Sequence, residues 1–319
     1  MSTAKKLLIS AGVLVTLGLL LFVIALTVGG WDFTNLDTDK FETNTYTIEE
    51  DFDNISIHTQ TADVVFLPSE DGACRVVCYE EQNLKHTAAV EDGTLFVNAV
   101  DTRKWYDHIG IFPSSPKITL YLPKEAYSAL KIEGDTGDTE IPADFSLDTV
   151  DISVSTGDVK CYAATLGTVK ITASTGKILL EGGSAASLDL CTSTGDVTVS
   201  DVSCSGSTSV KVSTGKTNLK NLTCASLTTK GSTGDISLIG VVVSGKMSVE
   251  RSTGDVYLEH SDGGEIFISV DTGDVRGSLL TEKIFFADSD TGTVSVPQST
   301  FGGRCEITAS TGDIKITID

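Results

Sequence analysis

The sequence predicts an all-β protein, a parallel β-solenoid, on three observations. The first is a short motif that recurs along most of the chain: STGDV at 155–159, STGKI at 174–178, STGDV at 193–197, STGKT at 213–217, STGDI at 232–236, STGDV at 252–256 and STGDI at 310–314, with DTGDT, DTGDV and DTGTV between them. Its glycines are Gly137, Gly157, Gly176, Gly195, Gly215, Gly234, Gly254, Gly273, Gly292 and Gly312, in steps of 19 or 20 residues. A fixed period of that size marks a repeat architecture of about ten coils. The second is apolar alternation on both sides of every glycine. Seven and five residues before it stand pairs such as Val150 and Ile152, or Leu188 and Leu190; two and four after it stand pairs such as Ile178 and Leu180. Period two is the mark of a strand with one buried face. The third is the lack of any sustained 3.6-residue period after residue 30.

One coil therefore reads as strand, STGD corner, strand, and a looser return rich in Gly, Ser, Asn and Ala. Neither strand buries its apolar face alone. Coils stacked about 4.8 Å apart place equivalent residues in columns and build one continuous core. Gly suits a corner with φ above zero, which a Cβ resists. The Ser or Asp two residues before it bonds backbone in turns. Continued alternation would point the Thr just before the Gly inward, as a hydroxyl ladder.

The residue after the Gly reads Asp138, Asp158, Lys177, Asp196, Lys216, Asp235, Asp255, Asp274, Thr293, Asp313. Most of this column is a solvated ladder of alternating charge, each exposed pair worth little. Asp235, Asp255 and Asp274 have no Lys among them. They either splay into water or hold a cation such as Ca²⁺; three side chains fall short of the six to eight oxygens that ion takes, which favours water. TGKT at 214–217 resembles the end of a phosphate-binding loop, but Val210 stands where that motif needs Gly, and a strand follows instead of a helix.

Upstream, NISIHTQTADVVF (54–66) matches the repeat if Ala62 replaces the Gly, so it reads as an atypical first coil, as terminal coils are. Strand-like runs at 74–80, 85–91, 94–100 and 117–122, with a turn at EDG 91–93, form a small β cap. The loop DTRKWYDHIGIFPSSP (101–116) carries Trp105 and Tyr106, which either cover a sheet edge or form a recognition surface.

The first 30 residues differ in kind. Residues 7–28 carry no charge, Lys5 and Lys6 precede them, and no acid occurs before Asp32. This predicts a transmembrane helix with a cytoplasmic N-terminus and residues 31–319 outside, in preference to a cleaved signal peptide, whose apolar region is shorter. Residues 31–53 read as an acidic, weakly ordered spacer. The domain plan is 1–30 anchor, 31–53 spacer, 54–129 half-coil and cap, 130–319 solenoid. A net charge of −21 argues against a nucleic-acid partner.

Seven cysteines, an odd number with several in core columns, read as small buried hydrophobes, with Cys204 and Cys224 as possible neighbours. The four histidines show no metal spacing, and HExxH, CxxC and GxSxG are absent. No catalytic residue, cofactor or enzyme activity is expected. A polysaccharide-active β-helix is the rival reading. Against it, the repeats offer no long loops and no basic cluster for an acidic sugar; only Lys131, Lys160, Lys170 and Lys177 approach one another.

The anchor, the TADV half-coil, the junction ITLYLPKEAYSALKIEGDTGD (118–138) and the serial STGDV/I coils resemble the bacterial "putative adhesin" family of β-strand-repeat envelope proteins, over about 54–319. The resemblance implies a solenoid displayed at the cell envelope with an adhesive, scaffolding or envelope-sensing role; some members sit beside envelope-stress signalling genes. It transfers no catalytic residue. The expected partners are the membrane, through 7–28, and a protein or cell-wall glycan. Phe267 and Phe286, six residues before their glycines, are expected to stand on adjacent coils next to an open C-terminal edge. That edge is a candidate for self-association.

Overall fold

The alternating columns fold as the period demands. In the computed structural model of the chain, which describes residues 3–28, 41–103 and 115–319, each coil pairs in parallel with the next at the one-repeat offset. Ser146–Thr156 of the Gly157 coil lies beside Thr165–Thr175 of the Gly176 coil with Ile152 opposite Ile171. After the corner, Val159 lies opposite Ile178. The inward columns are dry: Ile132, Ile152, Ile171 and Leu190 are all at most 1% exposed. Each such side chain contributes about 1.5–3 kcal/mol of burial, and none could reach a partner without the neighbouring coil.

The corner departs from simple alternation. Inward positions run on to the residue three before the Gly (Val154, Ala173), and then Ser155 and Thr156 both face solvent. The corner threonines therefore do not form the expected inward ladder. The cause is a phase slip: Val154 and Thr156 keep ladder partners while Ser155 is passed over, so the strand bends there and the next side chain rotates outward. A second corner lies six residues after the Gly. Gly182, Asp201, Asn221, Gly240 and His260 occupy it with φ between 46 and 78°. Gly, Asn and Asp are the residues that tolerate this conformation most readily.

The N-terminal half-coil is present as expected. Ile57 lies opposite Ile132 and Val64 opposite Thr139, with Ala62 buried at the corner. The cap comprises β1 (Phe41–Ile48), β4 (Cys74–Glu81), β5 (Leu84–Glu91), β6 (Thr94–Asp101) and β7 (Lys117–Leu122), while β2 (Asn54–Thr59) and β3 (Asp63–Pro68) form the half-coil. β6 extends the sheet beyond β2, and β7 extends it beyond β3. Asp92 and Gly93, both at positive φ, turn β5 into β6. Part of the segment expected to be a spacer is structured: β1 pairs antiparallel with β4 along its whole length. Its alternating Phe41, Thr43, Thr45 and Thr47 suit a half-exposed edge better than the acidic composition around them suggested.

Helix α1 spans Thr3–Val28. Among the described residues no helix is long and apolar enough to cross a membrane, so the structure does not bear out the transmembrane span expected over 7–28.

The C-terminal end corrects an expectation. The coils do not stack in chain order. The strand of the Gly273 coil pairs with Gly303–Thr311 of the last coil, and that strand pairs in turn with Lys283–Thr291 of the Gly292 coil. The final coil is inserted between its two predecessors, so the edge belongs to the Gly292 coil. Inward side chains give the reason. Cys305, Ile307, Ala309, Ile314 and Ile316 are buried to 4% exposure or less, whereas the same columns of the Gly292 coil hold Phe285, Ala287, Ser289, Val294 and Val296, smaller or more polar at every place but the first. The more apolar coil takes the interior place. Lys283 secures the arrangement. It lies opposite Gly303, which has no side chain, and its Nζ reaches Asp262 Oδ1 at 2.7 Å.

Candidate functional site

The corner acids have a structural partner. Each carboxylate accepts the backbone N–H of the equivalent residue one coil on: Asp255 N donates to Asp235 Oδ1 (3.2 Å), Asp274 N to Asp255 Oδ1 (2.9 Å) and Asp313 N to Asp274 Oδ1 (2.7 Å). The same bond is made by Asp138 and Asp158. This replaces the backbone ladder where the corner interrupts it. Asp235, Asp255 and Asp274 are thus strung along the axis, not gathered around a point. Among the described residues the one group whose Cys, His and acid ligand atoms lie within 4.8 Å of one another is Cys78, Glu80 and His86, in the cap. It is closed by its own bonds. Glu80 accepts from His86 N (2.7 Å), His86 Nδ1 (2.8 Å) and Asn44 Nδ2 (2.7 Å), and burial pushes the Cys78 thiol up to about 12. A metal would have to displace both the histidine bond and the thiol proton.

Phe267 and Phe286 are not neighbours. Glu306 of the inserted coil lies opposite both, so the rings do not stack. Arg304 bridges them instead, 5.7 Å from the Phe267 centroid and 5.1 Å from that of Phe286, with its charge bonded to Glu306. Lys246 also covers Phe267, at 4.3 Å. Phe286 remains 54% exposed. Trp105 and Tyr106 lie outside the described residues. All seven cysteines are free thiols, and six of them are buried.

The most site-like feature is a groove of about 620 Å³ along the outer face of the Gly215 to Gly273 coils. Its volume is in the range of small-ligand sites. The bend at the phase slip makes it concave. Lys211, Lys230, Glu250 and Ser269 stand in one column, corner residues Ser213, Ser232, Ser252 and Asp271 in the other. Between them lies the inward column, which reads Val212, Gly231, Arg251. Arg251 is 3% exposed. Its side chain runs along the solenoid axis past Gly231, donating from Nη1 to Val212 O (3.2 Å) and from Nη2 to Thr217 Oγ1 (3.3 Å). A Cβ on Gly231 would sit 2.0 Å from Val212 O and 2.2 Å from Arg251 Nη1, so the glycine makes room for both the neighbouring backbone and the arginine. Arg251 Nε has no partner, and among the described residues no carboxylate is within ion-pair distance of the guanidinium. Burial pushes its pKa down, while Asp235 acts in the opposite sense; a guanidinium stays protonated nonetheless. Lys230 is paired with Glu250 at 2.8 Å, whereas Lys211 has no acidic partner among the described residues. In a chain of net charge −21 the groove lining holds three bases, Lys211, Lys230 and Arg251, against two acids, Glu250 and Asp271, and so carries a net positive charge.

The sequence reading did not bring these three bases together. The signal was in the sequence: Lys211 and Lys230 hold the same position on consecutive coils, and Arg251 breaks an otherwise uncharged inward column one coil after a Gly. It needed the register to be legible.

The model of the Toastrack DUF4097 family matches residues 52–213, half of the chain. The chain belongs to this family. The matched span takes in the half-coil, the cap apart from β1, and the coils up to the Gly195 corner, while the groove lies mostly beyond it. Three solved structures are similar to the chain at low identity. A protein described as a "putative adhesin" from Parabacteroides distasonis is 14% identical with a TM-score of 0.47, over 87% of this chain and 98% of that one. Another so described, from Bacteroides fragilis, is 16% identical with a TM-score of 0.40, over 87% and 97%. A "putative lipid binding protein" from Parabacteroides distasonis gives the same four figures. No curated protein matches the chain.

Proposed function

We propose that this chain is a membrane-tethered, extracytoplasmic solenoid with a non-catalytic adhesive, scaffolding or envelope-sensing role. The observation that carries it is the regularity of the stack. From Gly137 to Gly254 each coil returns within 20 residues and pairs in one register. The outward columns therefore form a fixed, ligand-presenting surface with no long loops to enclose a reaction. Support for tethering comes from the uncharged stretch 7–28 behind Lys5 and Lys6. Support for an outside location comes from the concentration of acids after residue 31, which keeps an edge-bearing β protein soluble. Protease added to intact cells should release fragments of the repeat region. Protection until the membrane is opened would reverse the orientation, and turnover of envelope glycans by the purified chain would overturn the non-catalytic role.

A further inference from the structure

We infer that the groove over the Gly215 to Gly273 coils binds a carboxylated sugar chain, anchored by Lys211 and Lys230 and drawn in by the charge of Arg251. The unpaired guanidinium is the first ground. Burying a cation without a carboxylate is costly, and two long hydrogen bonds to neutral oxygens do not replace a counter-ion. The Gly231 and Arg251 pair keeps that charge directly behind the groove floor. The second ground is Lys211, an outward cation on the same face with no acidic partner among the described residues. The third is the mixture of groups. Hydroxyls of Ser213, Ser232 and Ser252 run beside the column of Lys211, Lys230 and Glu250, and Asp271 adds a second carboxylate at the Gly273 end. A dense polyphosphate would meet Glu250 and be repelled. A uronate chain spaces single carboxylates among neutral hydroxyls, which match serines and an acid as well as lysines. The groove runs along the stacking axis, so a linear polymer fits it better than a compact ligand.

The proposal rests on the reading of the solenoid as a binding surface and is independent of tethering. The test is calorimetric titration of the full chain in detergent micelles with oligogalacturonate. A neutral galactose oligosaccharide and inorganic phosphate serve as separate arms. Oligogalacturonate should bind in a salt-sensitive manner and the neutral sugar should not. Lys211→Gln and Lys230→Gln should each weaken binding by about tenfold. Arg251→Met should weaken it by about threefold or more without lowering the melting temperature. An arginine that is purely structural would do the reverse, lowering the melting temperature and leaving affinity unchanged. Absence of uronate binding, equal binding of the neutral sugar, tighter binding of phosphate, or indifference to both lysine variants would each overturn the proposal. Failure here would leave protease accessibility on cells unaffected, so the two readings fall separately.

Discussion

Gly195 shows why the corner tolerates one residue type. Its φ is +140°, and a Cβ there would stand 1.9 Å from Gly176 O of the preceding coil. Conformational strain and a backbone clash therefore act together. Gly195→Val should cost about 2–6 kcal/mol, from strained φ plus overpacking. Ser193→Ala, at an exposed position two residues earlier, should stay within about 1 kcal/mol. Denaturant melts of the two variants decide it: equal effects would mean that the close stacking of corner on corner is not what selects glycine. The acid after the Gly is selected differently. It is exposed, yet its carboxylate holds the amide of the next coil.

At the scale of elements, the inserted last coil depends on a buried ion pair. Lys283 is 4% exposed and Asp262 8%, and Thr281 donates to the second carboxylate oxygen at 2.6 Å. Lys283→Ala leaves Asp262 without its counter-charge and should destabilise the chain by about 3–5 kcal/mol. The Asp262→Asn/Lys283→Met double variant should recover most of that loss, since it removes both charges. Chemical denaturation with hydrogen exchange over 283–296 measures both quantities. If the double variant is no more stable than Lys283→Ala, the pair is not what holds the Gly292 coil at the edge. That edge is blunted as exposed strands commonly are: its second strand is two residues long, Pro297 follows, and the first carries Asp288 and Asp290 on its exposed face. Self-association through this end has Phe286 and Val294 in its favour and these features against it.

The whole molecule is a rod covered at one end by the cap and open at the other, with a net charge of −21. Its acid response follows from carboxylates bonded in the folded state. The Arg103 guanidinium holds Asp101 down at about 2, the Thr293 backbone N–H and hydroxyl lower Asp313, and Arg75 holds Asp71 well below the usual range. Folded values below the unfolded value of about 4 mean that their stabilisation is complete above about pH 4 and is lost as the pH falls towards about 2. Relief of self-repulsion on acidification acts in the opposite direction. The melting temperature should therefore hold a plateau on mild acidification and fall below about pH 4. A melting temperature that keeps rising from pH 4 to pH 2 would show that repulsion, not these bonds, dominates.

The solenoid, its coil length, the half-coil at Ala62 and the cap strands were determined by the sequence alone, because period and alternation are local and each coil repeats the same signal. The family membership followed from the same residues. Tertiary structure decided the rest. The sense of the corner threonines depended on a bend that alternation does not encode. β1 was hidden in an acidic segment because an edge strand needs only one partner, and β4 supplies it. The order of the last coils turned on which inward column was more apolar, a comparison between coils that no single repeat contains. The groove had the same cause: Lys211, Lys230 and Arg251 are separated by about one coil each along the chain, and only stacking at about 4.8 Å turns that distance into a shared surface.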